Sequence, residues 1–312
     1  MDIILSKVIP IIVLITIGYL IQRKQLADDH SMKIAKKAVM NIALPSVLFL
    51  TFKSMDLKAD YFVISIIIFF MLLLFHIVGL LLNKVPMFHH DTLPYLVTGY
   101  SFGLIALPLF GAVYGIENLG VISVFGLAHE VFIWFVYITL IKAKFNNQKF
   151  NLSTIKGFLV SPLIIAVAFG LGINLLNLNH LFMSNFLLKG LENTLVYLAG
   201  TATPVILIIV GYGLKLEKGY IKTPIKLLAL RLAITLIVGY GVKIFIINPI
   251  VGEVSYLFNV AYFTFVIMPP PFSLAIFVGE YSSNENAIIA NNTIVLSNVV
   301  SVVVFLIFSV FA

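Results

Sequence analysis

The sequence predicts an all-α integral membrane protein of ten transmembrane helices, arranged as two inverted five-helix repeats with helices 4 and 9 broken. Three observations predict it. Of 312 residues, 61% are hydrophobic and 11% are charged, against about 25% charged in soluble domains, and mean hydropathy is +1.10. Apolar runs of the roughly 20 residues needed to cross a bilayer recur along the whole chain and leave no length for a separate soluble domain. Two of these runs are interrupted by Gly and Pro at related places in the two halves, from Thr98 through Gly99 and Gly103 to Pro108, and from Met268 through Pro269, Pro270 and Pro271 to Ser273. Broken backbone at membrane depth persists only where protein or a water-filled cavity receives the freed polar groups, and paired breaks of this kind mark transporter binding sites.

The expected spans are 3–21, 34–52, 61–82, 92–115, 119–141, 158–177, 191–214, 225–248, 255–279 and 287–311. They divide into a first repeat over 1–150 and a second over 151–312. Ten spans put both termini on one side of the membrane. The connections after spans one, three, five and seven carry Arg23, Lys24, Lys33, Lys36, Lys37, Lys84, Lys142, Lys144, Lys149, Lys156, Lys215, Lys218, Lys222 and Lys226, whereas the other side carries Lys7, Lys53, Lys58, Lys189 and Lys243. Lys and Arg in short loops stay in the cytoplasm, so both termini are expected outside, in the cell membrane. The net charge of +7 therefore reads as topology and not as nucleic-acid binding. Span one ends in Gln22-Arg23-Lys24 with no small-residue cleavage site, which reads as a span and not as a cleaved leader. The absence of Cys excludes disulfides, thiolate metal sites and Cys nucleophiles.

Internal repetition supports the two halves. Pro10 and Gly18 in span one have the same spacing as Pro162 and Gly170 in span six. Asn41 to Pro45 in span two and Gly200 to Pro204 in span seven each bring a proline into a long apolar run. Spans four and nine are then the broken pair, and an odd number of spans per half inserts the second half upside down.

At Asn41-Ile-Ala-Leu-Pro45, at Thr201-Ala-Thr-Pro204 through Gly211, and at Pro269-Pro270 leading to Val278-Gly279-Glu280-Tyr281, the chain resembles the auxin efflux carrier family, which includes bacterial malate and malonate permeases. The resemblance covers essentially the whole chain. It implies a scaffold of helices 1, 2, 6 and 7, a transport domain of helices 3–5 and 8–10 around an X-shaped crossing, and organic anions as substrates. Two positions depart from the family pattern: Ser101 stands where relatives commonly carry Asn ahead of the helix 4 proline, and Ser161 precedes Pro162 where relatives often have Asn. Asn41, Pro45, Ser161, Pro162 and Pro204 are read as structural.

The second half of a broken helix begins with unpaired N–H groups, which together with the helix dipole attract an anion without a Lys. Candidate substrate contacts are therefore Ser101, Phe102 and Gly103 at one break, Pro269, Pro270, Pro271, Phe272 and Ser273 at the other, and Ser46 beside Pro45. Ser46 has an equal alternative, a hydroxyl bonded back to its own helix. Gly99 and Gly103 are expected to supply the irregular backbone of span four, or alternatively close helix packing. Glu130, deep in span five, is costly there unless paired or wetted, and is the candidate carrier of a proton or cation; a structural hydrogen bond is the alternative. His129 lies about 100° around the helix from it and reads first as packing and second as a coupling residue.

Arg231, Lys243 and His76 read as snorkelling or core side chains, and His89-His90-Asp91 as a solvated loop and not a metal site. Ser297 in span ten is expected outside the binding shell. No phosphate-binding loop, zinc-protease helix or nucleophile elbow is present in the sequence, which argues against an ATP-driven pump or hydrolase. The reading is a non-enzymatic, cofactor-free secondary transporter of mono- or dicarboxylates, malate-, malonate- or auxin-like, working by elevator-type alternating access; an anion channel or a non-transporting receptor or assembly protein is the alternative. Expected partners are the organic anion, a coupling H⁺ or Na⁺, the lipid bilayer and a second copy of the chain in a homodimer.

Overall fold

The computed structural model describes residues 2–146, 159–217, 219–252 and 254–311. Their regular structure is helical, with no strand among the described residues. In chain order the helices are α1 (Asp2–Arg23), α2 (Asp29–Ser54), α3 (Ala59–Leu82), α4 (Leu93–Leu96), α5 (Phe102–Tyr114), α6 (Leu119–Asn146), α7 (Pro162–Leu175), α8 (Asn179–Ser184), α9 (Phe186–Tyr212), α10 (Lys222–Val251), α11 (Tyr256–Ile267), α12 (Phe272–Tyr281) and α13 (Asn284–Phe311). Seven of them (α1, α2, α3, α6, α9, α10 and α13) are long and apolar enough to cross a membrane, and α5, α7 and α11 are shorter apolar helices. Large apolar side chains face outward: Phe62 is 73% exposed, Ile237 74% and Phe245 78%. Contiguous exposure of this kind is unfavourable in water and matches a hydrocarbon solvent.

Prolines shape the long helices. Four π-helical turns occur among the described residues, at Val39–Ala43, Phe102–Ala106, Ile133–Tyr137 and Lys243–Ile247. Three of them end two residues before a proline, namely Pro45, Pro108 and Pro249. Proline has no N–H to give to the carbonyl four residues back, and a widened turn just ahead of it lets the helix continue. Pro204 instead sits inside α9 without such a turn. Helix starts are capped by side chains: Asp28 accepts from the Ser31 N–H at 2.8 Å, Asn185 from Leu187 at 2.9 Å, and Ser255 from Phe258 at 3.1 Å. Ser161 caps α7, accepting from the Ile164 N–H at 3.4 Å with Pro162 in the first turn. That is the favoured chemistry of a helix start. Asn41 is exposed and its amide donates to Lys37 O at 2.9 Å.

The chain forms two compact units. Unit 1 comprises Met1–Leu57, Gly103–Ser123 and Ile155–Leu214; unit 2 comprises Lys58–Phe102, Val124–Thr154 and Lys215–Ala312. The basic connection that opens at Lys142 is described as far as Asn146, and Lys149, Lys156 and Lys218 lie outside the described residues.

Unit 1 is built by close helix contact. A Cβ on Gly18 of α1 would lie 2.0 Å from Ile208 O of α9, and one on Gly211 of α9 would lie 1.9 Å from Ile15 O of α1. The two glycines thus let two backbones touch, as small residues do between membrane helices. Gly170 of α7 does the same against α2, where a Cβ would lie 2.7 Å from Phe49 O. Asn174 extends that contact, donating to Phe52 O at 3.0 Å and Met55 O at 2.7 Å. Lys53, buried at 6% exposure, pairs with Glu192 and lies 4.1 Å from the Phe182 ring centroid.

Unit 2 is held by rings and polar groups. Phe125 packs edge-on to Phe258 and Tyr262, with centroids 5.3 and 5.9 Å away. The Tyr262 hydroxyl donates to Gly239 O at 2.6 Å, joining α11 to α10.

Candidate functional site

Both interrupted segments bring backbone out of helical pairing. Between α4 and α5, Val97–Ser101 is irregular; between α11 and α12, Met268–Pro271 is extended. The two segments meet in unit 2. The Ser101 N–H donates to Pro269 O at 2.7 Å, and Gly99 packs on Pro271, where a Cβ would lie 3.0 Å from the ring Cγ. Gly99 and Gly103 do not take left-handed backbone; the positive-φ glycines are Gly115 and Gly252. Gly99 serves close approach, therefore, and Gly103 has room, with Leu44 Cδ1 at 3.4 Å from its Cβ position.

Arg231 corrects the sequence reading. It does not snorkel: at 1% exposure it is the largest fully buried side chain among the described residues. Its guanidinium donates to Leu96 O, to Gly99 O at 3.0 Å and to Met268 O at 2.7 Å. Leu96 closes α4 and Met268 caps α11, so one side chain holds the C-terminal ends of both interrupted helices, where the helix dipole is negative. Among the described residues the ion pairs are Lys53–Glu192 and Lys144–Asp91, neither of which involves Arg231. Its charge is met by carbonyl dipoles and by the Tyr100 ring, whose centroid lies 4.8 Å from Cζ, a cation–π distance. Sequence offered one signal for it, a cation inside an apolar run flanked by Leu227, Leu228 and Ile234.

His129 is drawn into the same arrangement. Its Nε2 accepts from the Tyr100 N–H at 2.9 Å. A backbone N–H can only donate, so Nε2 carries a lone pair and the neutral ring's proton sits on Nδ1. That Nδ1 is buried without a hydrogen-bond partner among the described residues, and Glu130 Oε1 lies 3.6 Å from it. The 100° offset along α6 does not separate the two groups, which approach to 3.6 Å. Glu130 keeps its carboxylate about a quarter exposed, at 23%, while His129 is 2% exposed. The pair therefore links a partly exposed carboxylate to the backbone of the first interrupted segment.

The other expected contacts vary in availability. Ser46 spends its hydroxyl proton on Ile42 O at 2.8 Å. Ser101 spends its N–H on Pro269. Phe102 is 4% exposed, with its ring laid over Gly126, where a Cβ would fall 1.9 Å from the ring. Pro269, Pro270 and Pro271 are buried, Phe272 is half-buried, and Ser273 lies in the first turn of α12, with its side chain outside the described part. His76 is core, its Nδ1 lying 3.2 Å from the Thr98 hydroxyl. No group of three His, Asp or Glu that could hold a metal occurs among the described residues.

A comparison with curated proteins gives no match. A family model described as "Membrane transport protein" matches residues 3–309, nearly the whole chain. With its apolar exterior and seven membrane-length helices, this is a multi-pass membrane protein, and it belongs to the membrane transport protein family, the auxin efflux carrier family that its motifs resemble.

Proposed function

We propose that the protein is a secondary active transporter of small organic anions, mono- or dicarboxylates, working by alternating access in the cell membrane with both termini outside. The observation that carries this reading is the meeting of the two interrupted segments, joined by the Ser101–Pro269 hydrogen bond with Arg231 on their carbonyl ends. Carbonyl ends neutralised by a fixed cation leave the opposite helix starts as the electropositive ends. An anion is the complementary cargo.

In this reading the three shorter apolar helices join the seven long ones, continued through their interruptions, to give ten spans; the lengths of the seven support it. Their pairing supports an inverted repeat: if α1 corresponds to α7 and α2 to α9, the α1–α9 contact through Gly18 and Gly211 is the counterpart of the α7–α2 contact through Gly170. In this reading α1, α2, α7 and α9, which make both of these contacts within unit 1, supply the scaffold; Gly103–Ser123, expected in the transport domain, also falls in unit 1, and unit 2 supplies the rest of that domain. Glu130, partly exposed and adjacent to His129, is the coupling group in this reading.

Proteoliposome flux tests the proposal. Carboxylate uptake is expected to saturate and to be accelerated by substrate on the far side, and Glu130→Gln is expected to retain binding while flux loses its dependence on the proton gradient. Uptake that neither saturates nor shows trans-stimulation, with large single-channel currents, would mean a channel. Binding without flux would mean a receptor.

A further inference from the structure

Helix α13 carries two buried asparagines in opposite circumstances. Asn292, at 0% exposure, uses its whole carboxamide: Nδ2 donates to Glu217 O at 2.9 Å and Tyr220 O at 2.7 Å, and Oδ1 accepts from the Glu217 N–H at 3.1 Å. It is a structural clamp on a connection. Asn298 is also 0% exposed, yet neither its Nδ2 nor its Oδ1 meets a hydrogen-bond partner among the described residues, and the same holds for the hydroxyl of its neighbour Ser297, 1% exposed. Buried amides are ordinarily paired because an unpaired one loses its hydration with nothing in return.

The position of Asn298 follows from two anchors. Ser301, one turn further along α13, donates to Ile267 O at 2.6 Å, and α12 turns back into α13 through Ser282 and Ser283. Travelling along α13 from Asn284 to Ser301 therefore runs from the end of α12 back to the last residue of α11. Asn298 lies about 4.5 Å before Ser301 at 1.5 Å per residue, at the level of the Met268–Pro271 break. The break itself does not need it. Ile267 O is taken by Ser301, Met268 O by Arg231 and Pro269 O by the Ser101 N–H.

We infer that Asn298 and Ser297, the latter against the sequence expectation that it lies outside the binding shell, form a recognition site for the polar end of the cargo and set its specificity, an inference that rests on the transport reading above. A carboxamide presents a donor and an acceptor side by side. A plain carboxylate only accepts, and would satisfy Nδ2 while leaving Oδ1 unpaired. A carboxylate with a hydroxyl on the adjacent carbon satisfies both: its carboxylate takes the Nδ2 hydrogen, its hydroxyl donates to Oδ1, and Ser297 supplies a further donor. The site is thus matched to 2-hydroxycarboxylates over their deoxy counterparts.

Two matched pairs, L-malate with succinate and L-lactate with propionate, test this by thermal shift and isothermal titration on the purified full chain. The parent is expected to bind the hydroxylated member of at least one pair about tenfold more tightly, since sites built to bond a hydroxyl reject the analogue lacking it. Asn298→Leu, close in size and without polar atoms, is expected to bring that preference near one. Without ligand it should melt no lower than the parent, because it removes an unpaired group. Ser297→Ala serves as a second variant should Asn298→Leu fold poorly, with a several-fold loss expected for the hydroxylated ligand alone. A parent that binds carboxylates without favouring the hydroxyl, or a folded Asn298→Leu that keeps the preference within twofold, overturns the inference and leaves the transport reading standing. A parent that binds none of the four overturns both.

Discussion

Unit 1 and unit 2 solve the same problem, packing apolar helices in a medium without a hydrophobic driving force between them, by different means. In unit 1 the helices approach through glycines until backbone meets backbone, at Gly18, Gly170 and Gly211. In unit 2 they are joined by a buried guanidinium, an imidazole and edge-packed rings around interrupted backbone. Of the six buried polar atoms without a partner among the described residues, five belong to unit 2, on Tyr100, His129, Ser297 and Asn298, and one to unit 1, on Ser123. Unit 2 thus carries most of the buried polar atoms left without a partner among the described residues.

The sharpest test of that contrast is Arg231. Replacing it by Met removes donors from three buried carbonyls at once, and hydrogen bonds from a charged donor are worth about 1.5–3 kcal/mol each. Arg231→Met is expected to be the most destabilising single change described here, read as a large fall in melting temperature or loss of folded protein. Arg231→Lys should recover only part of it, since a lysine cannot reproduce the planar fork. A Met variant that melts with the parent would show that Arg231 does not hold the crossing.

Glycine substitutions separate the units next. Gly211→Ala forces a methyl group into backbone 1.9 Å away, whereas Gly99→Ala meets the Pro271 ring at 3.0 Å, where a side chain can give. Overpacking costs about 1–3 kcal/mol, occasionally more, and Gly211→Ala should lie at or above the top of that range with Gly99→Ala near the bottom. Gly99→Ala should nevertheless reduce flux by more than its stability loss explains. Equal melting temperatures for the two would remove the distinction between backbone and side-chain contact.

The smallest expected effect lies in the connection between α3 and α4. His90 Nδ1 accepts from the Thr92 N–H at 3.3 Å, and burial holds its imidazole below the ordinary value, with Asp91 opposing. The folded state therefore binds fewer protons than the unfolded one. Its contribution is fully present above the ordinary value of about 6.5 and is lost as pH falls from there through the lowered folded value. His90→Gln should flatten the pH dependence of melting slightly in that window, and an unchanged slope would assign the dependence to another group.

Much of the chain was legible because its signals are local. The prolines and glycines at 98–108 and 268–273 announced interrupted helices, and both segments leave helical pairing where those residues stand. Ser161-Pro162 is a helix start because a side-chain oxygen and a proline suit the first turn whatever lies around them. Arg231, His129 and Asn298 were not legible in the same way. A buried cation and a snorkelling one have the same neighbours in sequence, and the carbonyls that receive Arg231 lie 135, 132 and 37 residues away. Asn292 and Asn298 look alike in one apolar run, yet one is fully bonded and the other is not.

The sequence by itself determined that the chain lives in lipid, where its helices run and which two are interrupted, because hydropathy and the absent N–H of proline act within a few residues. Only the tertiary structure decided which donors meet the interrupted backbone and which buried polar groups are left over, because a hydrogen bond depends on groups brought together from distant parts of the chain.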